Sequence, residues 1–378
     1  MRGRYTFVVA VCLTLLFWTS ARVDGKTIEI PFMSHDGYAM RGKLVLPDTD
    51  GLHAVVVYVQ TAEGLTLDMR RRGGPNGTFS YFDVYRTKLG EANIGFFSYE
   101  GRGIVNGDMP PRYEQIDRTV FNTSTLENKV RDAVAAVTVV QQQAGVDRAR
   151  IFLLGTSEGS LLAAETAARI PKEIRGVVVY GVLSTNLLEA FTYMIGDGMF
   201  MTYRTSFDTD KDGRISKSEF DADPRRFRRL IPQVTFDHWD RNGDGFFTAD
   251  EQLLVGKGLL DAVVNRDYAT LDRWSSQSAA LVTPDFWFKD HFEHAEIWTF
   301  LSALTMPVGL FHGTADRNTP VEHVRKLEER AKQAGKRNLS FYYFEDLDHS
   351  LNIVQYFTRG ILPAGHEAMF KYIIEQAR

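Results

Sequence analysis

The chain has 378 residues, 44% of them hydrophobic and 24% charged, with a formal net charge of -4. This is ordinary globular usage, far from the low-hydrophobicity, high-charge balance of a disordered chain. The slightly acidic total lacks the basic footprint of a nucleic-acid binder, so no nucleic-acid partner is expected, and the length suits one large domain carrying an insertion.

In chain order, Arg2 and Arg4 precede an uncharged apolar run over 7–18 and the small residues Thr19, Ser20 and Ala21. This layout predicts a secretory signal over 1–21, with an uncleaved membrane anchor as the alternative, since a span needs about 20 apolar residues. Cleavage would leave no stable span and would remove Cys12, the only cysteine, so the exported chain would carry no disulfide. The expected destination is secreted or periplasmic. Asn76, Asn122 and Asn338 stand in acceptor tripeptides for N-glycosylation.

The runs 27–32, 38–46 and 54–59 read as strands, the last apolar throughout and therefore buried on both faces. Further strands are predicted at 94–99, 151–154, 177–180, 308–311 and 339–344, with helical periodicity over 126–143, 161–169 and 321–334. Strand and helix in alternation imply an α/β fold, a mostly parallel sheet with helices on both faces. The alternation stops after Val182 and resumes near Met306. The chain therefore divides into a first core part over 27–184, an insertion over 185–303 that would form a largely helical cap, and a second core part over 304–378.

Gly155-Thr156-Ser157-Glu158-Gly159 lies between the predicted strand at 151–154 and the helix at 161–169. A sharp strand-to-helix turn forces its central residue into a strained conformation and leaves no room for side chains at the flanking positions, which explains the glycines. Ser157 would then project alone at the end of the strand as a nucleophile, with the Glu158 amide facing a developing oxyanion at a helix N-terminus. The Glu158 carboxylate has two readings, a favourable charge in a first helical turn or a contact for a cationic substrate group. A second oxyanion amide is expected just after the strand at 54–59, among Gln60, Thr61 and Ala62.

A serine nucleophile needs a base and an acid that orients it. Asp316 follows an apolar strand in His312-Gly313-Thr314-Ala315-Asp316, and His349 follows the next strand in Asp346-Leu347-Asp348-His349. Asp346 and Asp348 are weaker candidates because they share a loop with His349. The other histidines are poorer bases by position: His312 is expected to pack the turn, His323 to be solvated at a helix start, and His366 to open the last helix. Arg102, in Gly101-Arg102-Gly103, is expected to pair structurally beneath the loops of the site.

Inside the insertion, Asp208, Asp210, Asp212, the Arg214 carbonyl, Ser216 and Glu219 occupy the ligand positions of a twelve-residue EF-hand loop, with Gly213 at its sharp turn. A second loop offers Asp240, Asn242, Asp244, the Phe246 carbonyl, Thr248 and Glu251 in the same places. Six or more oxygens in such a frame suit a hard cation, and calcium is the expected cofactor. Ile215 and Phe247 hold the eighth positions, where paired loops meet in a short strand contact. The aromatic residues of the insertion, Phe200, Tyr203, Trp274, Phe286, Trp287, Phe288 and Trp298, are read as cap core rather than as a substrate box.

Together the elbow, the Gly-x-x-Asp turn and the late histidine resemble the α/β-hydrolase superfamily, especially its bacterial esterases and related serine peptidases, with an EF-hand pair inserted in the cap. The resemblance covers both core parts. It departs where many members carry a His-Gly pair after the third strand, here Val59-Gln60-Thr61. It implies hydrolysis of a small-molecule ester, a thioester or a peptide through an acyl-enzyme. An ester hydrolase leads, a serine peptidase is the near alternative, and a calcium-dependent binding protein on a catalytically silent scaffold is the alternative of another class.

Overall fold

The computed structural model describes residues 25–73, 77–109, 112–277 and 282–378. The predicted signal over 1–21, Cys12 and Asn76 lie outside them. Eight strands form one sheet: β1 (Lys26–Met33), β2 (Ala39–Leu46), β3 (His53–Tyr58), β4 (Gly95–Tyr99), β5 (Val146–Ser157), β6 (Gly176–Val182), β7 (Val308–Gly313) and β8 (Leu339–Phe344). Their spatial order is β1-β2-β4-β3-β5-β6-β7-β8. From β4 to β8 every neighbouring pair is parallel, while β2 runs antiparallel to both β1 and β4.

The apolar strands alternate their side chains between two cores, as a pleated strand must. Val55, Val57, Ile151, Leu153, Val177 and Val179 pack against one set of helices, which includes Leu126–Gln141, Glu158–Arg169 and Val321–Gln333. Val56, Tyr58, Phe152, Leu154, Val178 and Tyr180 face the other way, toward Asp83–Gly90 and Ala364–Ala377. Every residue of β3, β6 and β7 is buried, which is why those strands read as unbroken apolar runs.

After β6 the chain leaves the sheet. The helix Leu187–Tyr193, a π-helical turn at Met194–Gly198 and the helix Met199–Phe207 lead into the first acidic loop, and the helices Ala249–Val255, Lys257–Val264, Tyr268–Gln277 and Trp287–Glu293 follow the second. This segment has two cores of its own. One gathers Leu187, Phe191, Ile195, Val263, Leu271 and Phe288. The other, around the acidic loops, gathers Phe200, Phe207, Ile215, Phe220, Trp239 and Phe247. The helix Ile297–Leu301 already belongs to the sheet, since Ile297 and Leu301 pack in its core.

Arg102 lies beneath the loops as expected: its guanidinium bonds both oxygens of Asp132 (2.7 and 2.8 Å) and both of Asp36 (2.6 and 3.0 Å). Two acceptor asparagines are engaged, Asn338 by bonding the Leu304 and Met306 carbonyls and Asn122 by bonding Asp285. Among the described residues no helix is long and apolar enough to cross a membrane.

Candidate active site and acidic loops

Ser157 ends β5 and caps the helix Glu158–Arg169, with φ 55° and ψ -126°. A non-glycine residue there is strained and persists only where its surroundings enforce it. The surroundings are tight: a Cβ on Gly155 would sit 2.0 Å from the Gly159 carbonyl oxygen, and one on Gly159 would sit 2.9 Å from that of Gln60. Ser160 locks the turn from inside, donating to the Ser157 carbonyl (2.6 Å) and accepting from the Leu183 amide (3.0 Å).

Asp316 follows β7 and is 1% exposed. Its Oδ2 lies 2.8 Å from His349 Nδ1 and accepts from the Thr319 hydroxyl (2.9 Å), while Oδ1 accepts from the amides of Asn318 and Thr319 (2.8 and 3.0 Å). Burial alone would raise this carboxyl, but the attraction of His349, its hydrogen bond and the Thr319 amide outweigh burial and hold the pKa at about 2. For His349 burial favours the neutral ring, and the Asp316 charge and hydrogen bond reverse that, leaving it above the ordinary 6.5. Of the three candidate acids, Asp316 is the one whose carboxylate meets the His349 ring. Asp348 spends one carboxylate oxygen on the amides of Ser350 and Asn352, and Asp346 is exposed.

His312 packs the turn behind Asp316: it is fully buried, accepts from the Val182 amide at Nδ1 and lies 2.9 Å from the Thr319 carbonyl at Nε2. The Val182 bond places the proton on Nε2. His323 departs from expectation. It is half-buried, its Nδ1 is buried with no hydrogen-bond partner among the described residues, and burial lowers its pKa.

Ser157, His349, Thr61 and Ala62 line one cavity of about 750 Å³. No hydrogen bond joins Ser157 to His349 among the described residues, and such bonds commonly tighten only when substrate binds. Most of the cavity wall is apolar, with Leu65, Met194, Ile195, Met199, Val255 and Leu259. Of the cap aromatics read as core, Tyr203 and Trp274 also line this cavity, whereas Phe200, Trp287 and Phe288 are buried. The departure at Val59-Gln60-Thr61 has a structural counterpart. The buried Gln60 amide donates to the Tyr99 carbonyl (2.5 Å) and accepts from the Leu65 amide (2.7 Å), stapling the loop in place.

Glu158 stands in the first turn of its helix, as one of its two readings has it, but it is not solvated there. It is 2% exposed, and its oxygens take Lys129 Nζ (2.7 Å), Trp287 Nε1 (2.6 Å) and His291 Nε2 (2.7 Å). Burial pushes its pKa up, and Lys129 and His291 overcome that, bringing it to about 2. A carboxylate so enclosed is unavailable to a substrate cation. Sequence reasoning missed Lys129, whose signal is a charge on the apolar stripe of its helix beside Leu126, Val130 and Ala133. It also missed Gly181, whose φ of +52° lets the end of β6 pass against the His349 ring.

The acidic loops 208–219 and 240–251 share most of their internal hydrogen bonds. The sixth-position amides of Gly213 and Gly245 donate to Asp208 and Asp240 (3.2 and 2.9 Å). Glu219 and Glu251 each accept from the second-position amide, of Thr209 and Arg241 (both 2.7 Å), and from that of Ser216 and Thr248 (2.9 and 3.1 Å). Ile215 pairs with Phe247 and Ser216 with Phe246 in the expected strand contact. In the first loop Asp208, Asp210 and Asp212 bring one oxygen each within 4.8 Å of one another, and Asp208 Oδ1 is buried with no hydrogen-bond partner among the described residues. That orphaned oxygen fits a cation ligand. In the second loop Asp240 Oδ1 instead accepts from Gly243 and Asp244 amides (2.7 and 3.1 Å).

No protein-family model matches the chain. A 113-residue stretch is 23% identical to the proline iminopeptidase of Elizabethkingia meningoseptica, covering 30% of this chain and 34% of that enzyme, so the match spans about a third of the relative's length. Among solved structures, the alpha/beta hydrolase GrgF from Penicillium sp. sh18 superposes with a TM-score of 0.51 at 13% identity, covering 93% of this chain and 99% of GrgF. The fold is that of the α/β hydrolases. A protein described as a dipeptidyl aminopeptidase IV from Bacteroides ovatus gives the same TM-score and identity over 94% of this chain but 36% of its own. In this α/β-hydrolase fold the two core parts carry Ser157, Asp316 and His349 at the C-terminal ends of parallel strands, the edge where open α/β sheets hold their sites.

Proposed function

We propose that the chain is an exported, calcium-binding serine hydrolase that cleaves carboxylic esters through an acyl-enzyme. The observation that carries this reading is the strained Ser157 sharing one cavity with a His349 that Asp316 holds at 2.8 Å. In this mechanism His349 takes the Ser157 proton as Oγ attacks the carbonyl carbon. Backbone amides hold the oxyanion, and His349 returns the proton to the leaving oxygen. Water then repeats the sequence to release the acid.

The apolar wall favours a hydrophobic acyl or alcohol group over a charged one. A peptidase that recognises a free amino terminus needs a carboxylate for the ammonium. The one acidic residue lining the cavity among those described, Glu63, is paired with Arg112 at 2.8 Å. Ester hydrolysis is therefore the better fit than aminopeptidase chemistry.

Asp208, Asp210, Asp212, Ser216, Glu219 and the Arg214 carbonyl would hold one calcium, and Asp240, Asn242, Asp244, Thr248, Glu251 and the Phe246 carbonyl a second. When bound, the ion supplies a cross-link between loop and helix rather than chemistry. Its reach to the cavity is through the flanking helices: Met199, Thr202 and Tyr203 come from the helix entering the first loop, and Gln252 and Val255 from the helix leaving the second. The charged-then-apolar leader supports export, where millimolar calcium suffices for weak sites.

Labelling by a fluorophosphonate probe tests the reading. Folded, calcium-loaded protein should be labelled and Ser157→Ala should not; an unlabelled wild type would favour a silent scaffold.

A further inference from the structure

We infer that Lys129 is a positioning residue that sets both amides of the oxyanion site, and that Trp287 and His291 of the cap hold it in place through Glu158. The inference rests on the serine-hydrolase reading. Lys129 and Glu158 form an ion pair with side chains 4% and 2% exposed. A buried pair of this kind is weak evidence of stabilisation, because apolar residues of similar volume often do as well. What distinguishes this one is where its ends go.

An ammonium has three donors. Those of Lys129 reach Glu158 Oε1 at 2.7 Å, the Thr61 carbonyl at 3.1 Å and, more weakly, the Ala62 carbonyl at 3.5 Å. In a trans peptide the carbonyl and the following N–H point in opposite directions. Drawing the Thr61 carbonyl toward buried Lys129 therefore turns the Ala62 N–H away from it, and Ala62 borders the cavity with Ser157. Of the three candidate loop amides, this selects Ala62.

Glu158 supplies the other donor, since its own amide opens the helix and has no intrahelical partner. One ion pair thus grips the side chain of one oxyanion residue and the peptide preceding the other. The second carboxylate oxygen of Glu158 is taken by Trp287 and His291, both on the cap helix Trp287–Glu293. Cap docking and oxyanion geometry meet in a single buried cluster.

The test compares Lys129→Met, Glu158→Met, the double variant and Trp287→Phe by melting temperature, fluorophosphonate labelling rate, and kcat and KM for p-nitrophenyl butyrate. Each single charge removal strands a buried charge or breaks the cluster, so it should lower stability as well as rate. The double variant removes both charges, leaving no unpaired ion, but it strips the Trp287 and His291 ring nitrogens of their acceptor, so it should regain part of the melting temperature lost by either single variant. Its kcat and labelling rate should nevertheless stay about 10- to 100-fold down with KM within about 3-fold, somewhat less than the loss of a whole oxyanion donor. A role confined to stability would instead return kcat together with the melting temperature, and that result overturns the inference.

Trp287→Phe keeps the ion pair and removes one N–H, so it serves even if the double variant does not fold. A kcat lowered about 3- to 10-fold at unchanged KM is expected, and wild-type kcat overturns the cap connection. If folded wild type is neither labelled nor active, the serine-hydrolase reading itself fails. A labelled wild type with an equally reactive double variant sinks this inference alone.

Discussion

Replacing Gly181 by alanine should disable the proposed site without substituting Ser157, Asp316 or His349. Gly181 has φ +52°, and an added Cβ would lie 2.5 Å from the His349 carbonyl oxygen and 3.0 Å from both Cε1 and Nδ1 of its ring. Against the ~3.5 Å of ordinary heavy-atom contact, His349 must retreat by roughly 0.5–1 Å. Its 2.8 Å bond to Asp316 would then stretch toward the ~3.6 Å at which a hydrogen bond is effectively lost. Misplacement on that scale costs about 10²-fold in rate. The left-handed backbone adds about 1–2 kcal/mol for a residue with a Cβ, seen as a melting temperature lower by a few degrees. The assay is fluorophosphonate labelling beside p-nitrophenyl butyrate hydrolysis, with circular dichroism confirming the fold. A folded Gly181→Ala protein with wild-type kcat would refute the argument that this glycine sets the position of His349.

The proposed mechanism requires neutral His349, whose pKa stands above 6.5 because of Asp316, so kcat/KM should fall as pH drops through a value higher than that of an ordinary histidine. Asp316→Asn should move this limb to lower pH and cut kcat by about 10⁴-fold; a pH profile unchanged by the substitution would count against Asp316 as the partner. Because its folded pKa is raised, His349 contributes stability that is full below its unfolded value and lost as pH rises through the folded one, whereas the contribution of Asp316, with its lowered pKa, is lost as pH falls toward about 2. Calcium at 100 times its dissociation constant should stabilise the protein by about 2.7 kcal/mol for each loop that binds it. Glu219→Gln and Glu251→Gln should each reduce the resulting rise in melting temperature, and the double variant should abolish it. Calorimetry showing no calcium uptake by wild type would end the metal proposal.

Much of this protein was legible without coordinates because the relevant signals are local. An apolar run such as 54–59 declares a strand buried on both faces, and Gly155 to Gly159 declare a turn that tolerates no side chains. The two acidic loops place every oxygen within twelve residues, so spacing alone lays out their frame. The order of Ser157, Asp316 and His349 along the chain likewise follows from strands ending at one edge of a parallel sheet.

The rest depended on contacts between residues far apart in sequence. Glu158 was ambiguous because a carboxylate in a first helical turn looks the same whether solvated or buried. Only packing brought Lys129, Trp287 and His291 around it, from 29, 129 and 133 residues away. Gly181 looked like any strand glycine until β6 was laid beside the His349 loop. A one-dimensional pattern carries period and spacing, and so determines elements and local loops. Which buried charges meet, and which face of a peptide turns toward the nucleophile, is decided by the tertiary structure that closes those distances.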